Sequence, residues 1–312
     1  MIDPSVWREH GTPLLPATAR GPLDGISVAV KDLFAVGGFP VGAGNPRWLE
    51  QAAVEAADAW AVRALRAAGA SIAGISHTDE LAFSLSGTNA HYGTPPNPAA
   101  PDLVPGGSTS GPASAVASGQ ADVGLGTDTA GSIRVPASVC GLYGLRPTHG
   151  AVPLDGVVGL APSFDTVGWL TRDALALRAV GAVLLPPAPV RFPTRLRISD
   201  RATASTRQLA GTVAQALGAD LVVGPVAEVD DVTDLLAAFR AVQAAEALDT
   251  HGPWIRANPG ALGADVEARF RSGADVDPAT RRRARDLIAR SRARMIEVLG
   301  PDTWFAWPAT AG

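Results

Sequence analysis

The chain has 312 residues, with 26 basic side chains against 30 acidic ones and a formal net charge of -4. That balance leaves no broad cationic face for phosphates, and the 5% of aromatic residues weaken the case further, so we expect no nucleic-acid partner. A hydrophobic fraction of 46% beside 18% charged residues excludes a disordered chain and predicts a sizeable core.

The first half of the chain shows alternating strand and helix signals, which favour an α/β fold with a mixed or parallel sheet. A segment rich in Gly, Pro and Asn, residues 87–107, is predicted to be loop. Around it we predict strands at 26–30, 71–75, 123–125, 142–145 and 168–170, and helices at 54–68, 79–85 and 113–118.

The second half continues the alternation with longer helices. We predict helices at 173–184, 204–217, 229–248 and 278–299, and strands at 195–198, 220–223 and 303–306. There is no internal repeat and no low-complexity linker, so we expect one domain over 1–312.

Targeting and redox signals are weak. Residues 1–20 lack a basic patch followed by an apolar run, and the longest apolar stretch, 179–190, is broken by prolines and too short for a bilayer, which takes about 20 residues. We therefore expect no signal peptide, no membrane partner and a cytoplasmic location.

The single cysteine, Cys140, excludes an internal disulfide framework and a cysteine-cluster metal site.

Two loops rich in glycine and hydroxyl side chains, 106–111 and 126–134, flank one predicted helix of small residues. Such loops bring backbone N–H groups close to a ligand. A phosphate cradle is poorly supported, because neither loop follows a nucleotide-binding pattern. The alternative is acyl transfer, in which a serine attacks a carbonyl carbon and N–H groups stabilise the oxyanion.

An attacking serine needs a proton acceptor. No G-x-S-x-G elbow is present, and none of the five histidines stands in a recognisable triad context. Lys31, however, is the only lysine, and it ends an apolar strand in a chain that uses arginine at every other basic position. Since arginine cannot become neutral, Lys31 is our candidate base, with a surface lysine retained by chance as the alternative.

The segment 106–136 resembles the signature of the amidase signature enzymes, which cleave carboxamide C–N bonds through a Ser-Ser-Lys triad. Residues 22–32, 93–98 and 140–148 agree with it. The resemblance is clear over about 21–173 and faint over 174–312, and it is greatest to small amidases related to indole-3-acetamide hydrolase. It implies an α/β amidase-signature fold, with a central mixed β-sheet covered by helices on both faces and a shortened C-terminal part.

The resemblance also assigns roles. Ser132 becomes the nucleophile, Ser108 the bridging serine, which relatives hold through a cis peptide, and Lys31 the base. The implied oxyanion hole consists of the backbone N–H groups of Thr129, Ala130, Gly131 and Ser132. No metal or organic cofactor is implied.

Other site residues have weaker assignments. Ser110 and Thr127 are expected to hydrogen-bond Lys31 or Ser108, or only to shape the turn. Asp128 and Arg134 are expected to form an ion pair that fixes the loop. Candidate substrate contacts, with a core position as the alternative, are Phe83, Tyr92 and Trp169.

Three features depart from the family pattern. Ala130 stands where many relatives have glycine, and Thr109 and Pro112 alter the usual run of small residues. Family chains also continue well beyond the segment 304–308. We therefore expect either a short natural member with an open acyl pocket, or a pocket whose closing elements come from a partner or from a part of the protein that was lost by truncation.

The sequence thus predicts an amidase of the EC 3.5.1 type that hydrolyses a linear small-molecule amide to a carboxylate and ammonia or an amine. One alternative is the glutaminase-type subunit of an amidotransferase. Another is a non-catalytic binding protein on an amidase scaffold. The expected partner is a small-molecule amide, and a homodimer is left open.

Overall fold

A computed structural model describes residues 3–200, 202–224 and 232–310. Contacts group the chain into two compact units. The first extends to Pro187 and includes Glu246–Ser272, and the second comprises Ala188–Ala245 and the chain from Gly273 onward. The single domain over 1–312, with its signature core at about 21–173, stays a prediction.

The first unit contains a six-stranded sheet and most of the short helices. Its elements up to Leu184, in chain order, are β1 (Trp7–Leu15), β2 (Ser27–Lys31), α1 (Pro46–Gln51), α2 (Trp60–Ala67), β3 (Ser71–Ser76), α3 (Ser110–Ala117), β4 (Val123–Thr127), α4 (Arg134–Val139), β5 (Tyr143–Leu145), β6 (Val167–Thr171) and α5 (Ala174–Leu184).

The strand order in this sheet is β1-β3-β2-β4-β6-β5. The central strands β3, β2 and β4 are parallel, whereas β1, β6 and β5 pair with their neighbours in antiparallel fashion. The sheet is therefore mixed, which confirms the predicted fold class.

Alternate residues of β2 supply both faces of the sheet. Val28 and Val30 belong to the larger core cluster, with Val62 and Leu65 of α2. Ala29, between them, packs in a second cluster with residues of α3. Helices thus cover both faces, and the small side chains of α3 let it lie close to the strands that carry the site.

The second unit contains a three-stranded parallel sheet of order β8-β7-β9. Leu196 and Ile198 of its central strand pack against Ala210 and Ala214. The remaining elements of the chain are β7 (Arg195–Ser199), α6 (Ala204–Leu217), β8 (Asp220–Gly224), α7 (Val232–Ala257), α8 (Ala264–Ala274), α9 (Pro278–Leu299) and β9 (Thr303–Ala306), of which α7 begins in the second unit and ends in the first.

Two predicted helices need correction. The helix predicted at 54–68 starts only at Trp60, because the backbone of Val54 and Glu55 pairs with residues 38–40 instead. The helix predicted at 79–85 is a single 3₁₀ turn, Glu80–Ala82, in which Leu81 has a φ of 46°.

Several elements had no predicted counterpart, namely β1, α1, α4 and α8. The helix predicted at 229–248 continues to Ala257 as α7, and residues 229–231 of that prediction lie outside the described residues. Within the described ranges, no helix combines the length and the apolar character needed to cross a membrane.

Candidate active site

Lys31 lies at the carboxyl end of β2, beside the parallel strand β4, which ends at Thr127. Because neighbouring parallel strands end at the same edge of a sheet, the fold brings these two side chains together. Lys31 is fully buried, with 0% of its surface exposed. The candidate base therefore sits inside the protein at the edge where α/β sheets commonly place their sites.

Three hydroxyl groups surround the Lys31 side-chain nitrogen. Nζ lies 2.8 Å from Oγ of Ser108, 2.9 Å from Oγ1 of Thr127 and 3.2 Å from Oγ1 of Thr109. The Thr109 hydroxyl in turn donates to the carbonyl oxygen of Thr127, at 3.2 Å. None of these three direct partners carries a charge that would hold a proton on the lysine.

Burial therefore dominates the electrostatics of Lys31. Desolvation lowers the pKa of its side chain from 10.5 to about 7, against the opposing charges of Asp79, Asp128 and Asp165. A large share of the lysine is consequently neutral at neutral pH, and a neutral amine can accept a proton.

Ser108 follows a cis peptide bond, Gly107–Ser108. Its side chain is fully buried. Its carbonyl oxygen accepts two hydrogen bonds, from the Thr78 hydroxyl at 2.8 Å and from the backbone N–H of Asp79 at 3.2 Å. The segment that follows β3 thus holds the backbone of Ser108, the residue whose hydroxyl contacts Lys31.

Ser132 comes from the second glycine-rich loop and is 3% exposed. Its carbonyl oxygen accepts from the backbone N–H of Thr109, at 3.3 Å, so the two loops meet directly. Within the described residues, the Ser132 hydroxyl makes no hydrogen bond. Hydrogen bonds between catalytic groups often tighten only when substrate binds.

Four consecutive backbone N–H groups follow Asp128. Among the described residues nothing accepts a hydrogen bond from the N–H groups of residues 129–132. Free N–H groups in a tight loop form a concavity suited to an anion. The loop therefore has the donors that an oxyanion hole requires.

Side chains outside the loop fix its shape. Asp128 is buried and pairs with Arg134 at 2.9 Å and with Arg146 at 3.0 Å. Burial alone raises the pKa of Asp128, but its bonds with these arginines outweigh it and hold that pKa below its ordinary value. Thr129 donates its hydroxyl to Asp165 at 2.6 Å. The loop backbone is thus anchored by two buried carboxylates, those of Asp128 and Asp165.

Some predicted site residues lie elsewhere. Ser110 donates to Asp79 at 3.1 Å rather than to Lys31 or Ser108. Trp169 is a fully buried core residue, and Phe83 packs edge-on against Phe270 in the same core, so both stand in the core position given as the alternative to substrate contact. Tyr92 stacks on His77, with ring centroids 4.1 Å apart.

Four residues of the site had no such role predicted from the sequence, namely Asp79, Thr109 as a contact of Lys31, Arg146 and Asp165. Thr109 was visible only as a departure from the family pattern. Arg146 stands inside the family-like segment 140–148, and Asp165 lies within the range 21–173 where the resemblance is clear, but neither had a role assigned. No feature of the sequence pointed to Asp79, since its role depends on a buried contact with the loop that contains Ser108.

A small apolar recess lies beside Thr127 and Thr129. Its walls are aliphatic apart from these threonines and Asp165, and they are formed by Leu33, Ala82, Leu154, Val157, Val158, Gly159 and Leu160. A separate polar groove of about 360 Å³ in the first unit runs between the segment from Ser84 to Ala90 and the start of α8.

With this geometry in place, comparison with known proteins identifies the family. The Amidase family model matches residues 11–240 of the chain. The chain belongs to the amidase family. This membership agrees with the resemblance carried by the glycine-rich loops, and a solved amidase structure shares the mixed α/β fold with a TM-score of 0.78.

The curated relatives of this chain carry different names. The chain is 49% identical over 185 residues to Amidase 1 of Oryza sativa subsp. japonica, covering 59% of this chain and 42% of that protein. It is 42% identical over 167 residues to a glutamyl-tRNA(Gln) amidotransferase subunit of Salinibacter ruber, covering 54% of this chain and 31% of that protein. The chain thus spans under half the length of these curated relatives.

Similarity in structure extends over more of the chain. An inhibitor-bound vestigial protein complex, linked to the origins of an s-triazine catabolic enzyme, matches with a TM-score of 0.80 and 30% identity. The match covers 90% of this amidase chain and 66% of that chain.

Proposed function

We propose that this chain hydrolyses a small-molecule carboxamide to a carboxylate and ammonia or an amine. In this proposal Ser132 forms the acyl-enzyme, Ser108 relays the proton and Lys31 is the base. The observation that carries it is the buried Lys31 amine, 2.8 Å from a serine hydroxyl and with a pKa lowered to about 7. A lysine in that environment is suited to accept protons.

The hydroxyl groups around Lys31 fit a neutral amine, which has two N–H donors and one lone pair. The Thr109 hydroxyl donates its proton to the Thr127 carbonyl oxygen, so the Thr109 hydroxyl oxygen can accept a hydrogen bond from Lys31. If Thr127 accepts the second N–H, the lone pair faces the hydroxyl of Ser108. The Ser108 proton then has an acceptor.

The reaction follows from that arrangement. Lys31 takes the Ser108 proton, and Ser108 takes the proton of Ser132 as the Ser132 oxygen bonds to the amide carbon. The N–H groups of 129–132 stabilise the oxyanion, and each good donor contributes a factor of about 100 or more. Running the relay backwards protonates the leaving nitrogen, and water then releases the acid from Ser132 by the same steps.

The recess beside Thr129 supports a small apolar acyl group. Its mostly aliphatic walls include Thr129, from the loop that carries Ser132, and its volume of about 10 Å³ leaves room for a group no larger than about one water molecule. Such walls favour apolar surface and disfavour a charge. We therefore place short aliphatic amides first among the substrates to be tested.

A second candidate is the glutaminase-type subunit of an amidotransferase, which the 42% identity to the Salinibacter ruber protein favours. Ammonia release by the isolated chain separates the two. Robust turnover of simple amides without a partner supports the amidase, whereas release from glutamine only with a partner supports the amidotransferase role. Retention of Lys31, Ser108 and Ser132 argues against a binding protein that has lost its chemistry.

The test of this proposal is labelling by a serine-directed fluorophosphonate, followed by peptide mapping. The wild-type chain should be labelled at Ser132, and Ser132→Ala should abolish both the labelling and ammonia release from the best amide in a panel. Ser205→Ala removes a serine on the exposed face of α6 and serves as the matched control. Labelling that persists in Ser132→Ala, or none in the wild type, contradicts the proposal.

A further inference from the structure

A third buried carboxylate, besides those of Asp128 and Asp165, lies close to the bridging serine. Asp79 is 0% exposed and lies at the turn that follows β3. Its backbone N–H donates to the carbonyl oxygen of Ser108 at 3.2 Å, and the neighbouring Thr78 hydroxyl donates to the same oxygen at 2.8 Å. The residue that would relay the proton is therefore held by this pair.

The Asp79 side chain also lies against the loop that precedes Ser108. A Cβ atom added to Gly107 would overlap the Asp79 carboxylate, so the backbone and the carboxylate approach as closely as glycine permits. The Gly107 N–H donates to the Leu85 carbonyl oxygen at 2.9 Å, which ties the loop to the same segment.

In the part of the chain that the structure describes, three groups donate hydrogen bonds to the Asp79 carboxylate. It accepts from the backbone N–H of Gly87 at 3.0 Å, from the Ser110 hydroxyl at 3.1 Å and from the Ser84 hydroxyl. Burial is the largest influence and raises the pKa of this carboxyl, whereas hydrogen bonds donated to it favour the ionised form. The donors thus favour a negative charge at Asp79, against the burial that raises its pKa.

We propose that Asp79 is a positioning residue of the relay, which fixes the bridging Ser108 and places a carboxylate charge behind it that sets the basicity of Lys31. This inference rests on the proposed function. The charged groups that face Lys31 are Asp79, Asp128 and Asp165, and of these Asp79 has the largest effect. Only Asp79 among them also holds the backbone of Ser108.

The experiment measures the rate of Ser132 labelling by a fluorophosphonate as a function of pH, which needs no amide turnover. In the wild type the rate should rise with pH as Lys31 becomes neutral. Asp79→Asn removes the charge and keeps the shape, so the proton is lost more easily and the rising limb should move to lower pH, by about one unit. Asp79→Glu keeps the charge, so its limb should stay near the wild-type position.

Two further variants separate the charge from the fold. Thr78→Val removes a donor to Ser108 without touching the charge, so its rate should fall while the limb stays in place. Asp173→Asn, at the exposed N-cap of α5, is the matched control, because asparagine caps a helix as well as aspartate. If Asp79→Asn does not fold, Ser110→Ala, which removes one donor to the carboxylate, should move the limb in the same direction by less.

The outcomes distinguish this inference from the proposed function. A wild-type chain that is not labelled overturns the proposed function, and this inference with it. A wild type that is labelled, beside an Asp79→Asn or Ser110→Ala variant whose limb does not move, overturns the role of Asp79 alone, even if the rate falls. A limb that moves for the Asp79 charge variant but not for Asp173→Asn supports it.

Discussion

At the scale of single residues, the site depends on the contrast between Lys31 and the 25 arginines that make up the rest of the 26 basic residues. A buried ammonium group loses its hydration, and the three hydroxyls around it return only part of that stabilisation. A lysine avoids this desolvation cost by releasing its proton, whereas the guanidinium of an arginine stays charged. Lys31 is thus the one side chain among the lysines and arginines that can lose its charge, and it lies at the edge of the sheet.

Lys31→Arg is therefore expected to abolish most activity. The guanidinium keeps the positive charge but accepts no proton, so ammonia release should fall about 100-fold or more. Lys31→Met, which keeps an unbranched chain and removes the charge, should be equally inactive and shows whether the loss comes from misfolding through a buried guanidinium. The thermal midpoint of each variant is measured beside its rate.

The matched control for these variants is Arg47→Lys, at an exposed ion pair with Glu50. Its ammonia release should equal that of the wild type, since exposed ion pairs contribute little. Full activity in a folded Lys31→Arg variant contradicts the role of Lys31 as the base.

At the scale of elements, the site is built where strands end and glycine-rich loops begin. The parallel pair β2 and β4 delivers Lys31 and Thr127 to one edge, and α3 starts immediately after Ser108 and Thr109. Close approach between the loops requires small residues at particular places. Gly126, inside β4, is one of them, because Thr109 packs directly over it.

Gly126→Ala tests that close approach. A methyl group there would overlap the Thr109 side chain, which lies 3.2 Å from Nζ of Lys31. We expect the free energy of unfolding to fall by about 1–3 kcal/mol, as for other overpacked cores, and ammonia release to fall with it. Denaturant unfolding and the amide assay measure the two effects.

Gly211→Ala is the matched substitution in helix α6. Nothing lies within 4 Å of a methyl group at that position. Alanine favours a helix over glycine by about 0.5–1 kcal/mol, so this variant should be as stable as the wild type or more so, with unchanged activity. Equal stability of both glycine variants contradicts the packing argument.

At the scale of the whole molecule, local signals made parts of the second unit predictable. The helices at 204–217 and 278–299 and the strand at 303–306 were predicted with the bounds that the structure has. Thr203 and Asp277 cap the starts of these helices, and Gly218 and Gly300 follow their ends. These signals lie within a few residues of the element they define.

Elements that depend on distant partners were not predictable. Strand β1 has no regular alternation and contains the cis Thr12–Pro13 bond, and it is a strand because it pairs with β3. Helix α4 has six residues, with Pro136 among them. Neither has a periodic pattern long enough to show above the background of loops.

The candidate site divides in the same way. Lys31, Ser108 and Ser132 could be named from motifs, and the structure brings Lys31 and Ser108 into hydrogen-bond contact. The role of the Asp79 carboxylate near Ser108 could not be predicted from motifs, because Asp79 reaches the loop only through the folding of β3. The cytoplasmic location stays a prediction.

The most direct test of the central claim, that a neutral Lys31 starts the relay, is the pH dependence of kcat/KM for the best amide between about pH 5 and about pH 9. Because burial lowers the pKa of Lys31 to about 7, the neutral base is the minor form below that pH and the major form above it. We expect a rate that rises through an apparent pKa near 7 and then levels. A rate that is flat across this range, or that falls as pH rises through 7, contradicts it.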